Sequence, residues 1–197
     1  MATAATGERA GEIAGRYPRR VRLRQDRSVE LRLMGAGDGD GMLSFARALP
    51  TDDLLFLRTN ITEAPTVEAW LANIADGRTV TVLGVDGDAI GGYASVHLNQ
   101  AEWMRHVGEI RLLTGTDFRG AGLGRALASE IFAVASILGL RKLSAQMTLD
   151  QSGARATFER LGFKPEALLT DWVMSADGRT RDLLVMAYDV QGLTDTV

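Results

Sequence analysis

A glycine-rich stretch between two predicted strands constrains the fold of this chain most strongly. The stretch is DFRGAGLGRALASEIF, from Asp117 to Phe132. Apolar residues follow a strand period at about 107–114, a helical period at about 122–138 and a strand period again at 142–148. Because two strands of one sheet that are joined through a helix run parallel after a right-handed crossover, the sheet must contain one parallel pair.

The rest of the chain predicts antiparallel hairpins and further helices. Residues 21–34 and 79–98 each show a strand-like pattern of apolar and polar side chains around a polar turn, at Gln25 to Ser28 and at Asp86 to Asp88. Two final strands are expected on either side of 175–178. This order predicts a mixed α/β fold with a mostly antiparallel sheet. The predicted helices are one capped by Asp38 or Asp40 and ended by Pro50, and others at about 52–57, 66–74 and 152–161.

The length and composition of the chain suit a single domain. Of its 197 residues, 46% are hydrophobic and 24% are charged, which is enough for one sizeable core. Residues 1–18 are rich in alanine, glycine and threonine without apolar periodicity, so we expect a flexible N-terminal arm. We therefore expect one domain over residues 19–191 and a short C-terminal tail over 192–197.

Residue usage excludes several kinds of site. The chain has no cysteine, which excludes disulfides, thiolate metal sites and a cysteine nucleophile. His97 and His106 lie near successive predicted strands without a helical partner four residues away, so we expect no metal. Either histidine could act as base, acid or substrate contact, although a structural role is commoner for a lone histidine on a strand.

The charge pattern and the apolar runs argue against nucleic acid and membranes as partners. The net charge is −3, with acids and bases scattered along the chain. We interpret the basic residues between Arg16 and Arg24 as solvated charge on the arm and on an edge strand. There is no leader-like N-terminus and no apolar run of transmembrane length, so we expect a soluble cytoplasmic protein.

The glycines at 120, 122 and 124 suggest a site for an anion. The stretch fits neither the dinucleotide fingerprint, which needs glycine where Arg125 stands, nor the phosphate loop of nucleoside triphosphatases. What remains is a turn of small residues that opens a helix, so its backbone N–H groups and the helix dipole suit a phosphate or pyrophosphate. An ordinary glycine-rich turn without a ligand is the alternative.

Three segments together resemble the GNAT family of acyl-CoA N-acyltransferases. Arg119 to Gly124 is similar to the family signature R/Q-x-x-G-x-G/A, and GEIRLLT stands where the fourth strand of that family lies. ARATFERLGF is similar to its A-x-x-x-Y-E-x-x-G-F element. The resemblance covers about Val21 to Val190. It implies a mostly antiparallel central sheet with one splayed parallel pair, helices on both faces, and acetyl-CoA as co-substrate without a metal.

The resemblance also implies where coenzyme A binds. The backbone of β-strand residues at 112–114 would pair with pantetheine, and the amides at 121–125 would hold the pyrophosphate, with charge added by Arg119 and Arg125. Gln151 stands where relatives often have asparagine, and Phe158 would pack against the cofactor arm. The implied cofactor-binding residues are Leu112, Leu113, Thr114, Arg119, Gly120, Ala121, Gly122, Leu123, Gly124, Arg125, Gln151 and Phe158.

Glu109 is the candidate general base for an amine acceptor. An amine with a pKa of about 10.4 is neutral only about once in a few thousand molecules at pH 7, so a nearby carboxylate assists its attack on a thioester. The alternative is a surface glutamate paired with Arg105 or Arg111. The general acid is unknown because Phe158 replaces the usual tyrosine. Tyr93, Tyr188 and His106 are unranked substitutes.

The acceptor stays open at this point. The resemblance implies a primary amine, on a small molecule or on a protein lysine, and allows a homodimer. NQAEWMRHVGE between two strands is the expected acceptor-facing loop, and Trp70, Trp103 and Trp172 could line a pocket, although core packing is the commoner role. Two other interpretations are a non-catalytic acyl-CoA sensor, which the missing tyrosine favours, and a domain whose glycines serve only the turn.

Overall fold

The computed structural model describes residues 2–24, 26–54, 57, 59–174 and 178–190. The expected turn positions Gln25 and 175–177, parts of the segment 52–57, and the expected tail 192–197 lie outside these residues. The strands are β1 (Arg19–Arg22), β2 (Ser28–Leu33), β3 (Thr79–Asp86), β4 (Ala89–Leu98), β5 (Val107–Thr114), β6 (Lys142–Thr148), β7 (Lys164–Met174) and β8 (Thr180–Asp189). The α-helices are α1 (Ala2–Ala14), α2 (Gly39–Arg47), α3 (Thr51–Leu54), α4 (Ala64–Ala75), α5 (Leu123–Ile137) and α6 (Ser152–Arg160).

The described strands form one eight-stranded sheet in the order β1-β2-β3-β4-β5-β6-β8-β7. Every neighbouring pair is antiparallel except β5 and β6, which run parallel and are joined through α5. This arrangement confirms the parallel pair that the strand–helix–strand pattern predicts. No helix in the described residues has both the length and the apolar character needed to cross a bilayer.

The parallel pair separates soon after it begins. Residues are paired only at Val107 with Lys142, Gly108 with Leu143 and Glu109 with Ser144. Both strands then continue without pairing to each other, β5 as far as Thr114 and β6 as far as Thr148. This divergence confirms the expected splay and leaves the β6-facing edge of β5 without a strand partner from about residue 110 onwards.

Helices pack on both faces of the sheet because side chains alternate along the central strands. On one face, Val82 and Ala94 join a core cluster with Leu127 and Ile131 of α5. On the other face, Leu83 and Tyr93 join a second cluster with side chains from α2 and α4, among them Met42, Phe45, Val67 and Trp70. The expected layer of helices on each face is thus confirmed.

The N-terminal segment differs from the expected flexible arm. Residues 2–14 form helix α1, and Ile13 near its end is 4% exposed within the core cluster that contains α5. One buried isoleucine among alanines and glycines creates no apolar period, and this explains why the sequence pattern indicates no helix here.

A buried carboxylate holds the residues after α1 on the fold. Glu130 of α5 is 3% exposed and accepts hydrogen bonds from Arg16 Nη2 at 3.2 Å and from the Tyr17 hydroxyl at 3.0 Å. Arg19 Nη1 lies 3.1 Å from the same carboxylate. Burial, and then the negative charge of Glu130, raise the pKa of Tyr17. Arg16 is therefore a half-buried partner of an acid and not the solvated charge expected. Arg19, Arg20 and Arg24 are exposed, as expected, although Arg19 also pairs with Glu130.

Asp38 also acts differently from the expected helix cap. It occupies the N-cap position of α2, but its side chain makes no capping hydrogen bond. Its carboxylate instead accepts bonds from Arg32 Nη1 at 2.8 Å, from Arg32 Nη2 at 2.6 Å and from the Gly35 amide at 2.7 Å. The bidentate Arg32 pair joins β2 to the turn that precedes α2.

Candidate active site

Two glycines shape the turn between β5 and α5. Gly120 has φ +75° and Gly122, the N-cap residue of α5, has φ +97°. L side chains rarely adopt such angles, so both positions favour glycine. A Cβ atom built at either position meets nothing within 4 Å, so this side of the turn is open.

The start of α5 presents unpaired donors on this turn. The Ala126 amide makes the first helical hydrogen bond, to the Gly122 carbonyl, at 3.1 Å. The amides of residues 123–125 therefore have no partner inside the helix, and the positive end of the helix dipole lies at the same place. This geometry is that of an anion site.

The remaining residues of the turn face inwards. Ala121 is 1% exposed, and its amide donates to the Phe118 carbonyl at 3.1 Å, so this amide is not free for a phosphate as expected. Leu123 is 0% exposed, so only its backbone can meet a ligand. A Cβ atom on Gly124 would lie 3.6 Å from the Leu112 and Thr114 side chains, in ordinary contact. Gly124 therefore faces the end of β5, and glycine there does not relieve a clash.

The two arginines of the turn have different surroundings. Arg119 forms an ion pair with Asp53, which holds its guanidinium towards α3. Arg125 is exposed on the first turn of α5 and makes no ion pair within the described part of the chain. Both arginines were expected beside a phosphate. Among the described residues, an acid competes with the phosphate for Arg119 but not for Arg125.

The open edge of β5 continues from the turn towards Glu109. Leu112, Leu113 and Thr114 pair with β4 on one side only, opposite Ala94, Tyr93 and Gly92. Backbone groups on the other side face the gap left by β6. Such an unpaired edge can bind an extended ligand through main-chain hydrogen bonds, and pantetheine carries amides of that kind.

Helix α6 follows β6 and buries an apolar side chain. Gln151 stands at the N-cap of α6, and its Oε1 accepts a hydrogen bond from the Thr148 amide at 2.9 Å. Phe158 is 8% exposed and meets Phe163 edge to face, with ring centroids 5.0 Å apart. Phe158 is thus a core residue without a proton to donate.

Glu109 lies on the β4–β5 face that carries α4. Its side chain is 16% exposed, and its Oε1 accepts a hydrogen bond from Arg111 Nε at 3.0 Å. Directly opposite on β4 is His97, whose ring nitrogens lie 3.1 Å from the Thr79 hydroxyl and 2.9 Å from the Ser95 hydroxyl. These hydroxyls fix the imidazole in the sheet.

A cavity of about 420 Å³ lies beside this pair of strands. Its size is within the range of small-molecule sites. Strands β4 and β5 contribute Tyr93, His97 and Arg111, and the segment 59–73 covers them. The apolar lining residues are Ile61, Pro65, Ala69, Trp70 and Tyr93. The polar and charged lining residues are Thr59, Thr66, Asn73, His97 and Arg111.

The predicted acceptor loop does not line this cavity in the described residues. Trp103, in the loop between β4 and β5, is 80% exposed, and Trp172 on β7 is 65% exposed. Trp70 alone of the three tryptophans lies at the cavity, where its Nε1 donates to the Thr81 hydroxyl at 3.0 Å. The cavity was not predicted, because its lining comes from segments far apart in the chain.

The three candidate acids lie in different places. Tyr93 lines the cavity and is 2% exposed, and burial raises the pKa of its phenol, so it stays protonated. Tyr188 stacks on Phe132 at 4.7 Å on the α5 face of the sheet, opposite to Glu109. His106 is exposed, before β5 begins. Among the described residues, no group of three or more His, Asp or Glu side chains could hold a metal ion.

Sequence comparison connects this geometry to known proteins. A model of the Acetyltransferase (GNAT) family matches residues 47–163, which include β5, the glycine turn, α5 and α6. Mycothiol acetyltransferase from Geodermatophilus obscurus is 30% identical over 175 residues, which cover 82% of this chain and 52% of that protein. The chain therefore spans about half the length of this curated relative.

Solved structures share the fold at low sequence identity. The Salmonella typhimurium protein yncA, solved with its cofactor acetyl-CoA, has a TM-score of 0.72 and 18% identity over 86% of this chain and 98% of its own. Ribosomal-protein-alanine N-acetyltransferase from Brucella melitensis has a TM-score of 0.71 and 22% identity over 81% of this chain and 98% of its own. GNAT acetyltransferases use acetyl-CoA. By the family match and the shared architecture, this chain belongs to the GNAT family of acetyltransferases.

Proposed function

We propose that this chain transfers an acetyl group from acetyl-CoA to a primary amine by direct attack of the amine on the thioester. The observation that carries the proposal is the continuous path from the α5 N-terminus along the open β5 edge to Glu109. The cavity lined by Arg111 and His97 adjoins the end of this path. The donor and the acceptor would thus meet beside Glu109.

The donor side of the site relies mainly on backbone. The amides at the start of α5 would bind the pyrophosphate, and the open edge at 112–114 would bind pantetheine. Arg125 would add charge, since the described residues offer it no carboxylate, and Phe158 would pack against the cofactor arm. Gly120 and Gly122 support this assignment because their open side leaves room for close approach of a ligand to the backbone.

Glu109 would accept the proton that the amine loses. Only the neutral amine attacks, and a positioned carboxylate can accept the proton that the nitrogen loses, directly or through one water. Arg111 holds this carboxylate from one side. The thioester would supply the acetyl group and release a thiolate, whose pKa of about 8.5 for a cysteine-like thiol makes it a tolerable leaving group. Of the three substitute acids, Tyr93 is the one at the cavity.

Transfer to a panel of amines tests the proposal. Thiol release and acetylated product would be measured for the native chain and for Glu109→Gln, with Glu102→Gln, in the exposed loop, as the matched control. We expect turnover in the native chain and in the control and a strongly reduced kcat in Glu109→Gln. Equal kcat in all three would refute the role of Glu109, and absence of product with every amine would refute transfer.

The alternative is a domain that binds acyl-CoA without turnover. Phe158 favours it, since it has no proton to give and is packed against Phe163. The same assay separates the two functions, because a sensor would bind acetyl-CoA tightly and yield no acetylated amine. The relatives do not decide the acceptor: one is named for mycothiol and another for a ribosomal-protein alanine.

A further inference from the structure

Arg111 is the one arginine or lysine among the described residues that line the cavity beside Glu109. Arg111 lines it, its side chain is 28% exposed, and no aspartate or glutamate is among the described lining residues. The other titratable lining side chains are His97, whose ring nitrogens meet the Thr79 and Ser95 hydroxyls, and Tyr93, which burial keeps protonated. The described side chains that line the cavity therefore carry a positive charge, whose counter-ion is Glu109 beside it.

Glu109 occupies one of the five N–H donors of the Arg111 guanidinium. Its Nε donates to Glu109, whereas Nη1 and Nη2 make no hydrogen bond or ion pair with the described residues. A guanidinium presents its two Nη groups as a planar fork that matches a carboxylate. Arg111 can therefore bind Glu109 through Nε and a second carboxylate through its two Nη groups.

Part of the cavity lining suits a compact apolar group. Ile61, Pro65, Ala69 and Trp70 supply an apolar wall, and the volume is about 420 Å³. A polyamine would need a second carboxylate to bind its distal ammonium, and the described lining residues provide none. A free lysine side chain on a protein would bring no carboxylate to Arg111.

We propose that the acceptor is a free α-amino acid with an apolar side chain, whose carboxylate binds the Arg111 fork and whose amine is thereby placed beside Glu109. This inference rests on the proposed function. In the reaction, the amine nitrogen bonds to the acetyl carbon as the C–S bond breaks. The amine proton passes to Glu109, and the sulfur leaves as the thiolate of coenzyme A. Arg111 stands between the two carboxylates and reduces their repulsion.

Matched acceptors test the role of the carboxylate. Alanine, valine, leucine, methionine and phenylalanine would each be compared with the corresponding amino acid amide, which keeps the amine and the side chain but loses the charge. We expect kcat/KM for the preferred acid to exceed that for its amide at least tenfold, since a charge-assisted bidentate contact is worth about 1.5–3 kcal/mol, or roughly 10- to 150-fold. Spermidine and a lysine peptide would be the weaker substrates.

Substitution of Arg111 separates anchoring from indirect effects. Arg111→Gln should raise KM for the acid roughly tenfold or more and abolish the preference for acid over amide, and Arg111→Lys should retain part of it. Any disturbance of Glu109 lowers kcat for the amino acid and for its amide alike. The ratio of their kcat/KM values therefore measures only the contact between Arg111 and the carboxylate. Arg105→Gln, an exposed arginine paired with Glu102, is the control and should leave the ratio unchanged.

The outcomes distinguish this inference from the proposed function. If amides, polyamines or lysine peptides are acetylated as well as the acids, or if Arg111→Gln keeps the preference, the inference is overturned and acetyl transfer stands. If acetyl-CoA binds but no amine is acetylated, the proposed function fails, and the inference fails with it.

Discussion

Arg111 donates a hydrogen bond from Nε to Oε1 of Glu109 over 3.0 Å, and the two residues lie two positions apart on one face of β5. The sequence left Arg105 and Arg111 as alternative partners of Glu109. Arg105 pairs with Glu102 instead, in the loop before β5. The Glu109 carboxylate is thus held by an arginine that itself lines the cavity.

Glu109→Gln should lower kcat by roughly 100-fold or more, because a positioned general base contributes about 10²–10⁴-fold to proton transfer. The variant should bind coenzyme A as the native chain does, since the carboxylate lies away from the α5 N-terminus. Steady-state kinetics over a range of pH measure the effect. The rate of the variant should rise with pH as solvent deprotonates the amine, and a loss of coenzyme A binding would point to a structural role instead.

Gly122→Trp should weaken coenzyme A binding at least about tenfold by standing over the first amides of α5. The backbone angle adds a strain of about 1–2 kcal/mol at that residue. Gly77→Trp is the matched control. Gly77 also has a positive φ and open space around its Cβ position, but it lies between α4 and β3 and not in the α5 turn. Calorimetric titration gives both Kd values. Similar weakening of coenzyme A binding in both variants would contradict the assignment of the pyrophosphate to the α5 turn.

Glu130→Ala should destabilise the fold by about 1–3 kcal/mol, because it leaves Arg16 and the Tyr17 hydroxyl without their buried acceptor. Urea unfolding measures the free energy. Glu159→Ala is the control: Glu159 pairs with Arg155 on the surface of α6, where an ion pair contributes about 0–1 kcal/mol. Equal losses in the two variants would mean that the N-terminal segment is not held through Glu130.

Asp38→Asn should cost about 1 kcal/mol at pH 7, and the cost should vanish in acid. The Arg32 hydrogen bond lowers the pKa of Asp38, and the Gly35 amide lowers it further. A carboxylate with a lowered folded pKa stabilises fully above its unfolded pKa of about 3.9, and this contribution is lost as the pH falls through the folded pKa. Thermal unfolding of both chains from pH 7 to pH 2 measures the difference, with the exposed Asp76→Asn as control. A difference in stability between the native chain and Asp38→Asn that persists at pH 2 would exclude the ion pair as its cause.

Local sequence patterns predict the central part of the fold well. Strand and helical periods around the glycine turn identify β5, α5 and β6, and the observed bounds of β5 and β6, 107–114 and 142–148, are the expected ones. The parallel pairing follows from connection rules alone. Each of these periodic patterns repeats within one strand or helix, so a short stretch of sequence is enough to recognise it.

The features that the sequence did not predict depend on contacts between distant segments. Helix α1 has Ile13 as its buried anchor, and Glu130 is a charged residue within the otherwise apolar face of α5. The cavity combines residues 59–73 with Arg111, and Arg119 meets Asp53 across 66 positions. Because neither partner carries a pattern of its own, such pairs become visible only when the chain is folded.

The most direct test of acetyl transfer is mass spectrometry of amine acceptors incubated with isotopically labelled acetyl-CoA and the native chain, together with a count of free thiol. We predict one labelled acetyl group on the acceptor nitrogen for each thiol released, and the loss of both in step when Glu109 is replaced by glutamine. Saturable binding of acetyl-CoA with no labelled amine from any acceptor, and thiol release no faster than without the protein, would contradict the assignment.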